Sequence, residues 1–109
     1  MADRTKVLAQ ATGLAVTESI LYTVGVGTDT TVSSIFVCNR GNGQTTFRVS
    51  VSVNSAATAN ADYLYFDVPI PGNDTFVATV GMTLRNNDQV KIYAGNTSLS
   101  FALFGVEVV

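Results

Sequence analysis

Between Thr45 and Val53 the chain alternates without a break. Phe47, Val49, Val51 and Val53 fall on one side, and Thr46, Arg48, Ser50 and Ser52 on the other. A period of two sustained this long is the pattern of a β-strand with one dry face and one wet face. A helix would scatter both sets around its circumference.

The same reading extends along most of the chain. Thr5 to Thr12 reads as a first strand. Ser19 to Val24 carries Ile20, Tyr22 and Val24 on one side. Thr30 to Asn39 sets Ile35 and Val37 against Phe36 and Cys38. Asp62 to Ile70 sets Leu64, Phe66, Val68 and Ile70 against Tyr63, Tyr65 and Asp67. Thr75 to Met82, Gln89 to Ala94 and Ser98 to Val109 complete a set of about eight. Val, Thr, Ser, Phe and Tyr dominate these stretches, as suits a pleated, half-buried surface.

Turn residues separate them. Arg40-Gly41-Asn42-Gly43 contains Asn-Gly, a hairpin signal because both residues tolerate positive φ. Pro71-Gly72-Asn73-Asp74 reads as a turn whose proline presets φ and whose glycine takes the left-handed geometry. Asn86-Asn87-Asp88 and Gly95-Asn96 break the last hairpins, and Asn54 to Ala61, built of small residues, reads as an exposed loop. The expected fold is all-β, an antiparallel β-sandwich of jelly-roll-like form with about eight strands. One domain over residues 1–109 is expected, with residues 1–4 as a loose N-terminal arm.

Composition narrows the function classes. Charged residues make up 13% of the chain, about half the usual fraction, and apolar residues 47%. No apolar run approaches the roughly 20 residues of a spanning helix, and no basic start leads into an apolar stretch as in a signal peptide. The expectation is a soluble protein with no membrane partner. Arg4, Lys6, Arg40, Arg48, Arg85 and Lys91 are scattered, so no nucleic-acid footprint is expected either. Cys38 is the single cysteine, which leaves folding to packing alone and suits a reducing cytoplasm.

The chain has no histidine. That removes the commonest general acid–base group and the commonest metal ligand. Lys91 has no motif near it that would make a Ser–Lys pair. Asp62, Asp67 and Asp74 lie close in sequence, but they read as turn-forming or solvated acids rather than a catalytic or calcium-binding set. Gly25-Val26-Gly27-Thr28 lacks the third glycine and the helix of a phosphate loop, and reads as a turn between strands. Cys38 reads as a small buried hydrophobe. No enzymatic activity, cofactor or metal is expected.

What is left over is apolar surface. In the tail, Leu99, Phe101 and Leu103 can fill a core while Phe104, Val106 and Val108 point the other way. Tyr63 and Tyr65 also face away from the expected core side of their strand. A domain this small cannot bury both faces of several strands in itself, so these five residues are candidates for self-association.

Several segments carry a resemblance. They are Leu21-Tyr22-Thr23-Val24, Ser33 through Arg40, Thr45-Thr46-Phe47-Arg48-Val49, and Asp67-Val68-Pro69-Ile70 followed by Asn73-Asp74-Thr75. Leu84…Asp88…Val90…Ile92-Tyr93 and Leu99-Ser100-Phe101…Phe104-Gly105-Val106-Glu107 complete the set. In this order they resemble small virion structural proteins of tailed bacteriophages, over residues 18–109. The resemblance implies a particle component made in the host bacterial cytoplasm and located in the virion. It would be a capsid decoration (cement) protein or a tail or fibre accessory. It carries no site motif, so no functional residue is transferred. The expected assembly is a homo-oligomer, a trimer, bound to other virion proteins such as major capsid or tail proteins. The rival is a sugar-binding module using exposed tyrosines, though the chain has no tryptophan to offer a pyranose.

Overall fold

The computed structural model describes residues 3–13 and 15–108. Eight strands form: β1 (Asp3–Thr12), β2 (Glu18–Thr23), β3 (Asp29–Asn39), β4 (Thr45–Ser52), β5 (Tyr63–Ile70), β6 (Thr75–Leu84), β7 (Gln89–Ala94) and β8 (Leu99–Val108). They make two four-stranded antiparallel sheets, ordered β1-β8-β3-β6 and β2-β7-β4-β5. The sandwich fold expected from the alternation is the one observed. Its strand order is that of a jelly roll, in which successive strands pass back and forth between the sheets.

This topology corrects the reading of the turns. Only β4 and β5 are neighbours both in sequence and in a sheet. The turn at Arg40–Gly43 therefore does not close a hairpin; it carries the chain from β3 in the first sheet to β4 in the second. The turns at Pro71–Asp74, Asn86–Asp88 and Gly95–Asn96 are crossings too. In Pro71–Asp74 the left-handed residue is Asn73 (φ 57°). Gly72 is needed for a different reason: a Cβ there would overlap the Asn42 carbonyl of the neighbouring crossing.

One core lies between the sheets. Phe47 and Phe101 are almost wholly buried, with Ile35, Ile92, Leu99 and Leu103 around them. The Phe47 ring lies 5.0 Å from Phe76 and 6.5 Å from Phe101, centre to centre. Aromatic pairs at tilted angles and such spacings are favourable beyond their buried area.

Bulges overturn several expected faces. Between Ile20 and Tyr22 the register of β2 against β7 shifts, so Ile20 points outward, 56% exposed, while Tyr22 turns toward the sandwich interior. In β5, Asp67 takes φ 50° and the pairing with β4 breaks there and again at Leu64. Val68 and Ile70 face the core after the break, but before it Tyr65 does, and Leu64 and Phe66 are exposed. A one-residue slip exchanges the two faces of a strand.

At the far end of β4, Val53 leaves the strand into a short 3-10 turn and is exposed instead of buried. The loose arm expected over residues 1–4 is corrected in part. Asp3 and Arg4 pair with Val108 and Glu107 in β1, and residues 1 and 2 lie outside the described residues.

Candidate interaction surface

The outward side chains of β8 are Ser100, Ala102, Phe104, Val106 and Val108, alternating with the core residues Leu99, Phe101 and Leu103. The strands on either side supply the rest of that face. Val7 stands opposite Phe104 on β1, and Phe36 stands opposite Ala102 on β3 and Val77 on β6. Val7, Phe36 and Val77 are 44%, 37% and 52% exposed, which makes an apolar stripe across the whole sheet. The Phe36 and Phe104 rings meet edge to face at 5.3 Å, so the stripe is ordered at its centre. Beside it the small side chains of Ser100 and Ala102 leave a shallow trough of about 360 Å³, walled by Gln10 and Thr12 on one side and Phe36 and Cys38 on the other. Cys38 is thus half-buried on the outer face, not the core residue its apolar neighbours suggested.

Of the five expected association residues, Phe104, Val106 and Val108 share this face. Tyr63 does not. It sits on the outer side of the other sheet, edge-on to Phe66 at 4.9 Å. Tyr65 is half-buried and faces inward: its ring packs on Phe76 at 5.2 Å and toward Phe47 at 6.3 Å, against the core. The bulge at Asp67 reverses it. Val7, Phe36 and Val77 belong to the stripe but escaped the sequence reading. Phe36 could have been found, because its alternation with Ile35 and Val37 already set it on the wet side.

The outer face of the second sheet has different chemistry. The Arg48 guanidinium lies 4.2 Å from the Phe66 ring centre and 4.2 Å from that of Tyr93, and it donates to both carboxylate oxygens of Asp67, at 2.6 and 3.3 Å. The Asp67 bond raises the Arg48 pKa further. The segment after β4 straps down over the rest of this face. Lys91 donates to the Ala56 carbonyl (3.0 Å) and the Thr58 hydroxyl (3.1 Å), and Asp88 accepts from the Asn54 and Arg85 amides. Ser50 and Ser52, expected on the wet face, lie on it but are dry beneath the strap. The strap's own outer side is exposed, as its small residues suggested.

The acids weighed as a catalytic or metal set have separate partners. Asp62 accepts from the Ala59 amide, Asp67 holds Arg48, and Asp74 accepts from the Thr75 amide. No group of three metal-ligating side chains gathers among the described residues. Gly25–Thr28 is a reverse turn, closed by the Thr28 amide on the Gly25 carbonyl, with Gly27 at φ 77°.

No family model matches the sequence, and no curated protein does. Among solved structures, a chain in the structure of infectious bursal disease virus Gx strain is similar in fold. The TM-score is 0.58 over 97% of this chain, at 8% sequence identity. This chain spans 31% of the length of that one. At such identity the likeness shows the fold alone: the two share a β-sandwich.

Proposed function

We propose that this protein is a structural component of a bacteriophage particle that self-associates and decorates the capsid. The observation that carries the proposal is the ordered apolar stripe Val7–Phe104–Phe36–Val77 on the outer face of the first sheet. A sheet face of this kind is a place for a protein partner. The resemblance to small virion proteins of tailed bacteriophages supports the particle setting, and so does a sandwich shared with a chain from a virus structure. The low-charge surface suits protein neighbours rather than nucleic acid.

The mechanism is mass action. Each copy binds the folded neighbours of an assembled shell and not unfolded chains, so every occupied site adds stability. Many weak contacts on one particle then act together. No covalent bond is made or broken.

The test is mass by light scattering, alone and with purified empty heads of the phage that encodes the chain. An oligomer that co-sediments with heads supports decoration. An oligomer or monomer that ignores heads removes decoration and leaves the tail or fibre position. One observation favours a glycan-binding role there: Phe66 is 55% exposed beside Tyr63, Tyr93 and the Arg48–Asp67 pair, an apolar surface rimmed by polar groups. A glycan array without binding would end that second reading.

A further inference from the structure

Three of the four sheet edges carry several features that stop a sheet from growing, and the fourth carries one bulge and no other. The edge strand β1 displays Arg4 and Lys6 and breaks register at Leu8. β2 is only six residues long, displays Glu18 and bulges at Leu21. β5 has Pro69, the left-handed Asp67 and two register breaks. Charges, prolines, bulges and shortness are the means by which edge strands avoid pairing with other chains.

β6 has almost none of these. It is ten residues long, TFVATVGMTL, without a charge or a proline. From Thr75 to Thr79 it runs in unbroken register along β3, and its one irregularity comes after Thr79, near Gly81. It is the last strand of its sheet, with β3 on one side and no strand on the other among the described residues. Thr75, Val77, Thr79 and Thr83 are exposed and neutral.

We infer that β6 is an edge-pairing site for β6 of a second copy, antiparallel across a two-fold axis. The occupant follows from the strand itself. Pairing β6 with its own copy opposes threonines and valines, which are favourable cross-strand partners, and brings no like charges together. The same operation on β1 would oppose arginine and lysine, and on β5 it would meet the bulge and Pro69. The row Ala102–Phe36–Val77 also runs to the β6 edge, so the apolar stripe of one copy continues into that of the next. A two-fold contact is self-complementary and builds pairs, whereas the trimer expected from sequence needs a head-to-tail contact. The inference rests on the self-association proposed above and not on the place in the particle.

Sedimentation velocity on the full chain, with amide hydrogen exchange read along β6, tests it. The wild-type protein is expected to sediment as a pair, with alternate β6 amides protected in the pair and released on dilution. Val77→Lys with Thr79→Lys, two exposed positions, is expected to sediment as a monomer with an unchanged far-UV spectrum. If the wild type associates while the β6 amides not bonded to β3 exchange freely, this edge is not the contact and self-association stands. The exchange measurement needs no variant to fold. A wild type that stays monomeric at every concentration removes both proposals.

Discussion

The Tyr22 hydroxyl of the second sheet donates to the Glu107 carboxylate of the first, and the two meet at one mouth of the sandwich. Thr30, almost fully buried, bonds the same hydroxyl at 2.9 Å, and Lys6 reaches the other carboxylate oxygen at 3.3 Å. Four strands, β1, β2, β3 and β8, are tied by this group. Tyr22→Phe keeps the ring and removes the tie. Loss of one charge-assisted hydrogen bond is expected to cost about 1–2 kcal/mol. Urea denaturation at pH 7 reads it as a lower midpoint with an unchanged slope.

The same group sets how stability varies with pH. Burial first, and then the bond to Glu107, push the Tyr22 phenol up from 10.0 to about 12. A group whose pKa rises on folding contributes fully below its unfolded pKa, and the contribution is lost as pH climbs through the folded one. The alkaline loss is therefore expected between pH 10 and about 12. Glu107 moves the other way: the Tyr22 hydroxyl, and then Lys6, hold its carboxyl below the ordinary range against the effect of burial. Its contribution is present above the unfolded pKa and is lost as pH falls through the folded one. Tyr22→Phe should flatten the alkaline limb and weaken the acid limb in midpoints measured from pH 3 to pH 11.5. A profile that matches the wild type on both sides would show that the tie contributes nothing.

Asn39 holds the crossings at the opposite end. It is 1% exposed, and its side-chain amide donates to the carbonyls of Gly43, Ile70 and Pro71 while its carbonyl accepts from the Gly41 amide and the Ser98 hydroxyl. Three sheet-to-sheet connections converge on this one side chain. Asn39→Ala orphans buried groups on all three and is expected to cost at least about 2 kcal/mol. Asn39→Asp keeps the shape but turns a donor into an acceptor facing carbonyl oxygens, so it should cost more than alanine. Thermal melts of both variants check the order.

Asn39 also marks where sequence reading stopped. The strands, their number and the turn positions between them were legible, because alternation and turn residues are local signals. The destination of each turn was not. Asn42-Gly43 looks the same whether the next strand pairs with the last or crosses to the other sheet, and here Asn39 and the Gly72–Asn42 approach decide it. Bulges were the second blind spot. Nothing in Tyr63 to Ile70 announces that Asp67 takes a left-handed φ, yet that one residue moves Tyr65 into the core and leaves Phe66 outside. The outward set on β8 was legible because that strand keeps its alternation through Phe104 and Val106.

Tyr65 and Tyr63 test the reversal directly. Tyr65→Ala opens a hole beside Phe47 and Phe76 and is expected to cost about 2–3 kcal/mol, below the roughly 3–5 of a fully buried aromatic. Tyr63→Ala removes one edge-to-face contact with Phe66 and should cost about 1 kcal/mol or less. Denaturant titration separates them. Equal, small effects would put Tyr65 outside the core.

The stripe on the first sheet calls for the opposite result: loss of association without loss of stability. Val106 and Val108 alternate outward beside Phe104 on a strand whose inward residues are untouched. Val106→Asp with Val108→Asp places two carboxylates on the same outer face, in the rows next to the stripe, where a covering partner would have to desolvate them, and burying unpaired charge is far costlier than leaving it in water. In the free protein they stay solvated, and the like charge of Asp29 opposite position 108 adds only a modest cross-strand cost, so the melting temperature should fall little. The expected outcome is the wild-type fold with no co-sedimentation on heads; a pair held at the β6 edge keeps its size by light scattering, because β8 lies two strands from that edge, whereas a monomer would place the contact between copies on this face instead. If the oligomer keeps its size, the face around Val106 and Val108 is not where copies meet. If size is kept but head binding is lost, the stripe faces the shell rather than another copy.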